Sequence, residues 1–240
     1  MKKVISKILV VCMAICLVGC SSKDTEMSKI EDAQNNISSM TSGKFEISTM
    51  VKTNTRTDAT KTEFTFQQMQ NGIIEYCQSQ QDSRNKLVFC EYSDGESAEQ
   101  WLLGKGWSVI EPTKYTLENP HRFISLITSK IDKGSVKSVT KSEDTSYQVY
   151  EVEMDCQKVP VSTEGNEKLT SQKICFYVNS DGLISKYTDE TIFVNTQTEQ
   201  ECQYSLEISL SEHNTLASVK KPDLKVDEKV DDVSADLGVK

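Results

Sequence analysis

The stretch "YEVEMDC" (Tyr150–Cys156) alternates without a break: Tyr150, Val152, Met154 and Cys156 on one side, Glu151, Glu153 and Asp155 on the other. Successive side chains of a strand point to opposite faces, so this segment reads as a strand with one face buried and one in water. A one-sided strand of this kind belongs to an antiparallel sheet. The carboxylate row is the solvated face, not a paired acid and base.

The same period recurs on both sides. Toward the C-terminus, Ile174, Phe176 and Val178 lead into the turn Asn179-Ser180-Asp181-Gly182, and Leu183 to Phe193 returns from it. Cys202, Tyr204, Leu206, Ile208 and Leu210 alternate once more. Toward the N-terminus, Phe45 to Val51, Phe64 with Phe66, Ile74 with Tyr76, and Leu87 to Cys90 read as strands. Asp94-Gly95 turns the chain into a strand over Glu99 to Leu103, and Gly104-Lys105 turns it back through Trp107 to Ile110. The strands number about ten or eleven. Gly104-x-Gly106 is no phosphate loop, because a third glycine and a βα crossover are missing. Asp181-Gly182 lacks the remaining ligands of a calcium loop.

Two segments break the period. Met27, Ile30, Gln34, Ile37 and Met40 fall on one helical stripe, with Asp24 placed to cap it and Gly43 to stop it. A polar opposite face fits a helix lying on something apolar, the sheet or a membrane surface. The second helix spans Asn119–Lys133, with Asn119 as N-cap, Pro120 in the first turn and Gly134 after its end. Phe123, Ile124, Ile127 and Ile131 form its apolar face.

The N-terminus reads as a leader. Lys2, Lys3 and Lys7 precede an unbroken apolar run of 11 residues, Ile8 to Val18. At about 1.5 Å per residue it spans about 16 Å, short of a membrane core of about 30 Å. It suits a secretory signal. Leu17-Val18-Gly19-Cys20, followed by Ser21 and Ser22, resembles the lipobox of bacterial lipoproteins, which implies cleavage before Cys20 and a diacylglycerol on its thiol. The alternative is an ordinary signal with a chance cysteine, or an uncleaved anchor. Two or three acyl chains, at about 0.8 kcal/mol per buried methylene, hold a protein firmly to a membrane.

Loss of residues 1–19, with their three lysines, leaves 24 basic residues against 36 acidic, a balance of −12. That balance argues against nucleic acid as a partner. Five cysteines remain beyond Cys20: Cys77, Cys90, Cys156, Cys175 and Cys202. The odd number leaves at least one thiol unpaired within the chain. No Cys-x-x-Cys occurs and both histidines, His121 and His213, lie far from any cysteine, so no metal site is expected. No Gly-x-Ser-x-Gly or His-Glu-x-x-His is present, and no catalytic residue is nominated.

Two helices are too few to sandwich such a sheet, so the sheet is expected to curl around them. The fold class is α+β, a curved antiparallel half-barrel with both helices on its concave face. The order resembles the LolA-like half-barrel superfamily, which includes the LppX-like lipoproteins. The resemblance rests on "SDGESAEQWLLGKGW" (Ser93–Trp107), "YVNSDGLISKYTDE" (Tyr177–Glu190) and "LSEHNTLASVKKPD" (Leu210–Asp223). It implies an apolar cavity between sheet and helices and no set of catalytic residues.

The expected organisation is a signal over 1–19, a lipidated tether over 20–25, one domain over 26–222 and a tail over 223–240. The expected function is a lipid-anchored module on the outer face of the cell membrane that holds a lipid or other hydrophobic ligand. The alternative is a structural or regulatory envelope protein that works through protein contacts. No cofactor is expected beyond the diacylglycerol at Cys20. The mismatch between sheet and helices places a cleft beside the second helix, lined by Phe123, Ile127 and Ile131 with Trp101 and Trp107 near its rim. If the Gln78–Lys86 loop closes a hairpin about its centre, Cys77 faces Cys90 and the two can form a disulfide.

Overall fold

Eleven strands form one sheet in the structure, a computed structural model that describes residues 23–69, 74–111, 119–159 and 166–226. The first six are β1 (Ser42–Thr53), β2 (Thr57–Gln68), β3 (Ile74–Gln81), β4 (Leu87–Ser93), β5 (Ala98–Leu102) and β6 (Gly106–Ile110). The rest are β7 (Val136–Glu143), β8 (Gln148–Met154), β9 (Glu167–Val178), β10 (Ile184–Asn195) and β11 (Glu201–Ser211). Helix α1 (Lys23–Ser38) precedes them, and α2 (Asn119–Thr128) joins the two halves.

The spatial order is β6-β5-β4-β3-β2-β1-β11-β10-β9-β8-β7, and every neighbouring pair is antiparallel. Each half is a meander of hairpins. The halves meet where the first strand pairs with the last, with Phe45 opposite Leu210 and Ile47 opposite Ile208. The sheet stays open, with β6 and β7 at its edges. This is the expected half-barrel.

Parity sorts the side chains. Phe45, Phe64, Tyr76, Tyr150, Val152, Phe176 and Ile208 share the inner face and are almost fully buried. On the outer face Lys44 reaches Glu46 (3.1 Å), Lys173 reaches Glu151 (2.8 Å) and Lys186 reaches Glu207 (2.8 Å). Solvent-exposed pairs like these are worth about 0–1 kcal/mol each, so the fold rests on the inner face.

Helix α1 buries Met27, Ile30, Ala33, Gln34 and Ile37. Its contacts run to β7, β10 and α2. It begins at Lys23, inside the segment read as tether, so Asp24 sits in the first turn and not at the cap. It ends at Ser38, and Gly43 lies in β1. A Cβ there would run into the Met40 methyl group, so the glycine serves close packing and not helix termination.

Helix α2 stops at Thr128, short of the expected Lys133. The Gln34 side chain of α1 takes two carbonyls at that end, Ile127 O at 2.7 Å and Ser129 O at 3.3 Å. Asp132 then caps a 3-10 turn over Lys133–Ser135, accepting from Gly134 N (3.1 Å) and Ser135 Oγ (2.7 Å). Chain 223–226, read as tail, is part of the described structure: the Val226 side chain stands where a Cβ on Gly106 would be.

Candidate functional site

A row of aromatic side chains lines the inner face beneath α2. Phe45 of β1 stands opposite Phe64 of β2, and Phe66 stands opposite Tyr76 of β3. The ring centroids lie 6.1 Å apart for Phe45 and Phe64, 5.9 Å for Phe64 and Phe66, and 5.9 Å for Phe64 and Tyr76. Helix α2 lowers Phe123 onto this row, its ring 4.4 Å from that of Phe64. Ile127 is fully buried, Ile124 nearly so, and Ile131 packs at the edge of the cluster. The structure therefore brings together three of the residues expected to line a cleft: Phe123, Ile127 and Ile131.

It does not bring the tryptophans there. Trp101 pairs with Cys90 on one side and with Trp107 on the other, and that parity is the outer face. The expected rim position is corrected on this ground. Trp101 is nevertheless buried, and its Nε1 has no hydrogen-bond acceptor among the described residues. The chain after β11 returns to this face, where Lys221 Nζ sits 4.6 Å above the Trp107 ring and 2.6 Å from Glu99 Oε2.

Polar groups interrupt the inner face at positions that sequence reading passed over. Tyr76 Oη donates to the buried carboxylate of Glu91. Asp189 of β10 accepts from Thr191 Oγ1 at 2.7 Å and Gln172 Nε2 at 3.1 Å. Burial raises the Asp189 carboxyl above the ordinary carboxylate range, against the opposing pull of those two hydrogen bonds. Burial likewise raises the phenols of Tyr187 and Tyr204, with the Asp189 charge adding to both. Period two places Asp189 with Tyr187 and Thr191, so alternation in β10 carried that signal. These carboxyl groups are bonded to hydroxyl and amide donors, and His213 is engaged with the Ile184 carbonyl at 3.2 Å. Among the described residues no group of three or more metal-ligating side chains converges.

Cys77 and Cys90 share the outer face, but not in direct opposition. Cys77 stands opposite Tyr92 and Cys90 opposite Ser79. The turn causes the offset. Asp82 Oδ1 accepts from the N–H groups of Arg84 and Lys86, both at 2.9 Å, Asn85 turns at φ 58, and a bulge follows Gln80. Those bonds also hold the Asp82 carboxyl below its ordinary range, the Lys86 N–H foremost. The two sulfurs still approach to 3.9 Å along the diagonal. A hydrogen bond from Cys90 lowers the Cys77 thiol pKa, while the same bond, with burial, raises that of Cys90.

Exposure to oxidised glutathione is expected to join this pair. The Cys77 thiolate attacks the glutathione disulfide and expels one glutathione thiolate. The Cys90 sulfur then displaces the second, leaving a Cys77–Cys90 bond. A loop near 15 residues is worth about 3 kcal/mol in the chain-entropy model. Non-reducing peptide mapping checks it, and alkylatable thiols at both positions would exclude the bridge.

No protein-family model matches the chain, and neither does any curated protein. Solved structures do. The lipoprotein LppX of Mycobacterium tuberculosis is 11% identical with a TM-score of 0.48, over 83% of this chain and 100% of that one. LprF of Mycobacterium bovis is 7% identical with a TM-score of 0.41, over 82% and 96%. A putative outer membrane lipoprotein-sorting protein domain from Vibrio parahaemolyticus is 12% identical with a TM-score of 0.26, over 80% and 94%. At 7–12% identity these are likenesses of fold alone.

Proposed function

We propose that this chain is an outward-facing lipoprotein held to the cell membrane by a diacylglycerol on Cys20. Its half-barrel acts as a non-catalytic module that holds a lipid or other hydrophobic ligand between α2 and the inner face. The observation that supports this is the cover on the aromatic row. Ten residues of helix, with Phe123, Ile124 and Ile127 turned inward, roof Phe45, Phe64, Phe66 and Tyr76. An acyl chain that replaced Phe123 against Phe64 would keep that surface from water at about 25 cal/mol per Å².

One observation favours a second reading, an envelope protein that works through protein contacts. Phe123 already fills the space above Phe64, so a ligand enters only if α2 lifts. A single experiment separates the two. The Cys20→Ala variant is expected to leave the membrane fraction or to remain unprocessed, and the purified protein is titrated with a fluorescent fatty acid. Saturable binding at one equivalent, tightened about tenfold by Phe123→Ala, which removes the ring that an acyl chain must displace, is the expected result. A variant that fractionates and migrates as the parent does removes the anchor. Absence of saturable binding by a folded protein removes the ligand and leaves the protein-contact reading.

A further inference from the structure

The two ends of the sheet differ in charge. The strands meander, so successive turns alternate between the ends, and the antiparallel pairing of β1 with β11 keeps the two halves in phase. One end holds the β4–β5, β7–β8 and β9–β10 turns and the exit of β11. These segments carry Asp94, Glu96, Asp144, Asp181 and Glu212, and not one Lys or Arg. The opposite end holds the remaining hairpin turns, the 3-10 turn before β7 and the start of α1. Among the described residues there, Arg56, Arg84, Lys86, Lys105, Lys133 and Lys158 join Lys23 and outnumber the acids Asp24, Asp82, Asp132, Asp155 and Glu199. The fold thus turns an acidic chain into a charge dipole along the strands.

Helix α1 is fastened at the basic end. Lys23 Nζ donates to the carbonyl of Val136, the first residue of β7, at 2.6 Å. Lys133 of the 3-10 turn reaches Glu31 of α1 at 2.9 Å. Asp155 N, just after β8, donates to Ser135 O at 2.7 Å. The start of α1, the 3-10 turn and the exit of β8 are therefore tied together. The apolar core comes to the surface beside them through half-buried Ile131 and Val159, which pack on the cluster that holds Val136 and Met154.

Covalent geometry brings a membrane to this end. With the anchor at Cys20 proposed above, on which this inference rests, only Ser21 and Ser22 separate the acylated residue from Lys23. Fully extended, three residues reach about 10 Å. A leaflet's headgroup layer is about 5–7 Å deep, so the tether is mostly spent in crossing it. The far end of α1 stands elsewhere: Asn36, about 20 Å along the helix at about 1.5 Å per residue, donates to Gly182 O of the β9–β10 turn. One tether leaves the tilt of the domain open, and charge closes it. An anionic leaflet attracts the Lys23 end and repels the acidic one.

We propose that the Lys23 end of the half-barrel rests on the headgroups of an anionic lipid surface, with Ile131 and Val159 on the membrane side and the β9–β10 turn pointing away.

Photo-cross-linking tests it. The full chain is purified from bacterial membranes, and mass spectrometry establishes the acyl chains on Cys20. It is then placed in vesicles of phosphatidylglycerol and phosphatidylcholine, with p-benzoylphenylalanine in place of either Gln157 or Ser180. Both positions are exposed and lie in turns, one at each end. Irradiation is expected to join lipid to position 157 about fivefold more than to position 180, and the ratio should fall in vesicles of phosphatidylcholine alone. Equal labelling at the two positions in an acylated, vesicle-bound chain overturns this proposal and leaves the anchor standing. A ratio unchanged without phosphatidylglycerol overturns it as well, because charge would then play no part. Absence of acyl chains on Cys20 removes the anchor and this proposal together. The fatty-acid titration is read independently of all three.

Discussion

Phe64→Ala is expected to lower the stability of the chain by about 3–5 kcal/mol. The ring is wholly buried and is flanked by Phe45, Phe66, Tyr76 and Phe123. Its neighbours come from three strands and a helix, and such a site collapses poorly when one ring is removed. The lost burial and the remaining cavity therefore add. Urea unfolding followed by circular dichroism measures the effect: the midpoint should fall while the slope stays constant. A loss below about 1 kcal/mol would mean that the inner face beneath α2 is loosely filled. The same variant links stability to the proposed function, since an enlarged space above β2 should tighten the fatty-acid probe.

Glu26→Met is expected to act in the opposite direction, raising stability by about 1–4 kcal/mol. The Glu26 side chain is 3% exposed, and its ion-pair partner among the described residues, Lys29, stands 3.7 Å away and is 46% exposed. Its Oε2 atom has no hydrogen-bond donor among the described residues. Burying a carboxylate costs several kcal/mol after relaxation, and a single long contact to a wet ammonium offsets little of that. Methionine has similar length and fills the same space without the charge. Differential scanning calorimetry of both forms decides the sign. A lower midpoint in Glu26→Met would show that the carboxylate has compensating partners in the folded chain.

Most of the sheet was legible in the sequence because period two is a local property. Tyr150 to Met154 and Tyr204 to Leu210 each announce their own buried face, and both are central in the inner core. Strand β7 was not legible. Val136 and Val139 are its only large apolar side chains among Lys, Ser, Thr and Glu. It is a strand because β8 offers it a partner, and an edge strand with one neighbour needs little apolar surface of its own. Nor was the end of α2 legible as a boundary. It depends on Gln34, 93 residues earlier, which takes the Ile127 carbonyl.

The candidate sites divide the same way. Phe123 and Ile127 were legible because they share one face of a helix, and any helix on a sheet turns that face inward. The tryptophans were misplaced because nearness in sequence does not carry parity across a turn. A shift of one residue sends a side chain to the other face. The Cys77–Cys90 pair was legible as neighbours, but its offset came from Asp82 and Asn85, whose turn moved the hairpin centre.

By itself the sequence determined the strand-rich architecture and the two amphipathic helices, which depend on residues within about one turn or strand of each other. Tertiary structure alone decided that β1 pairs with β11, that the Trp101–Trp107 pair faces outward beneath Lys221, and that Asp32, Gln148 and Ser180 line one cleft. The last three lie more than 100 positions apart from first to last, with no local pattern linking them. They meet because β7 to β10 lie side by side under α1, bringing two hairpin turns to the same end of the helix, and only strand order and register can state that.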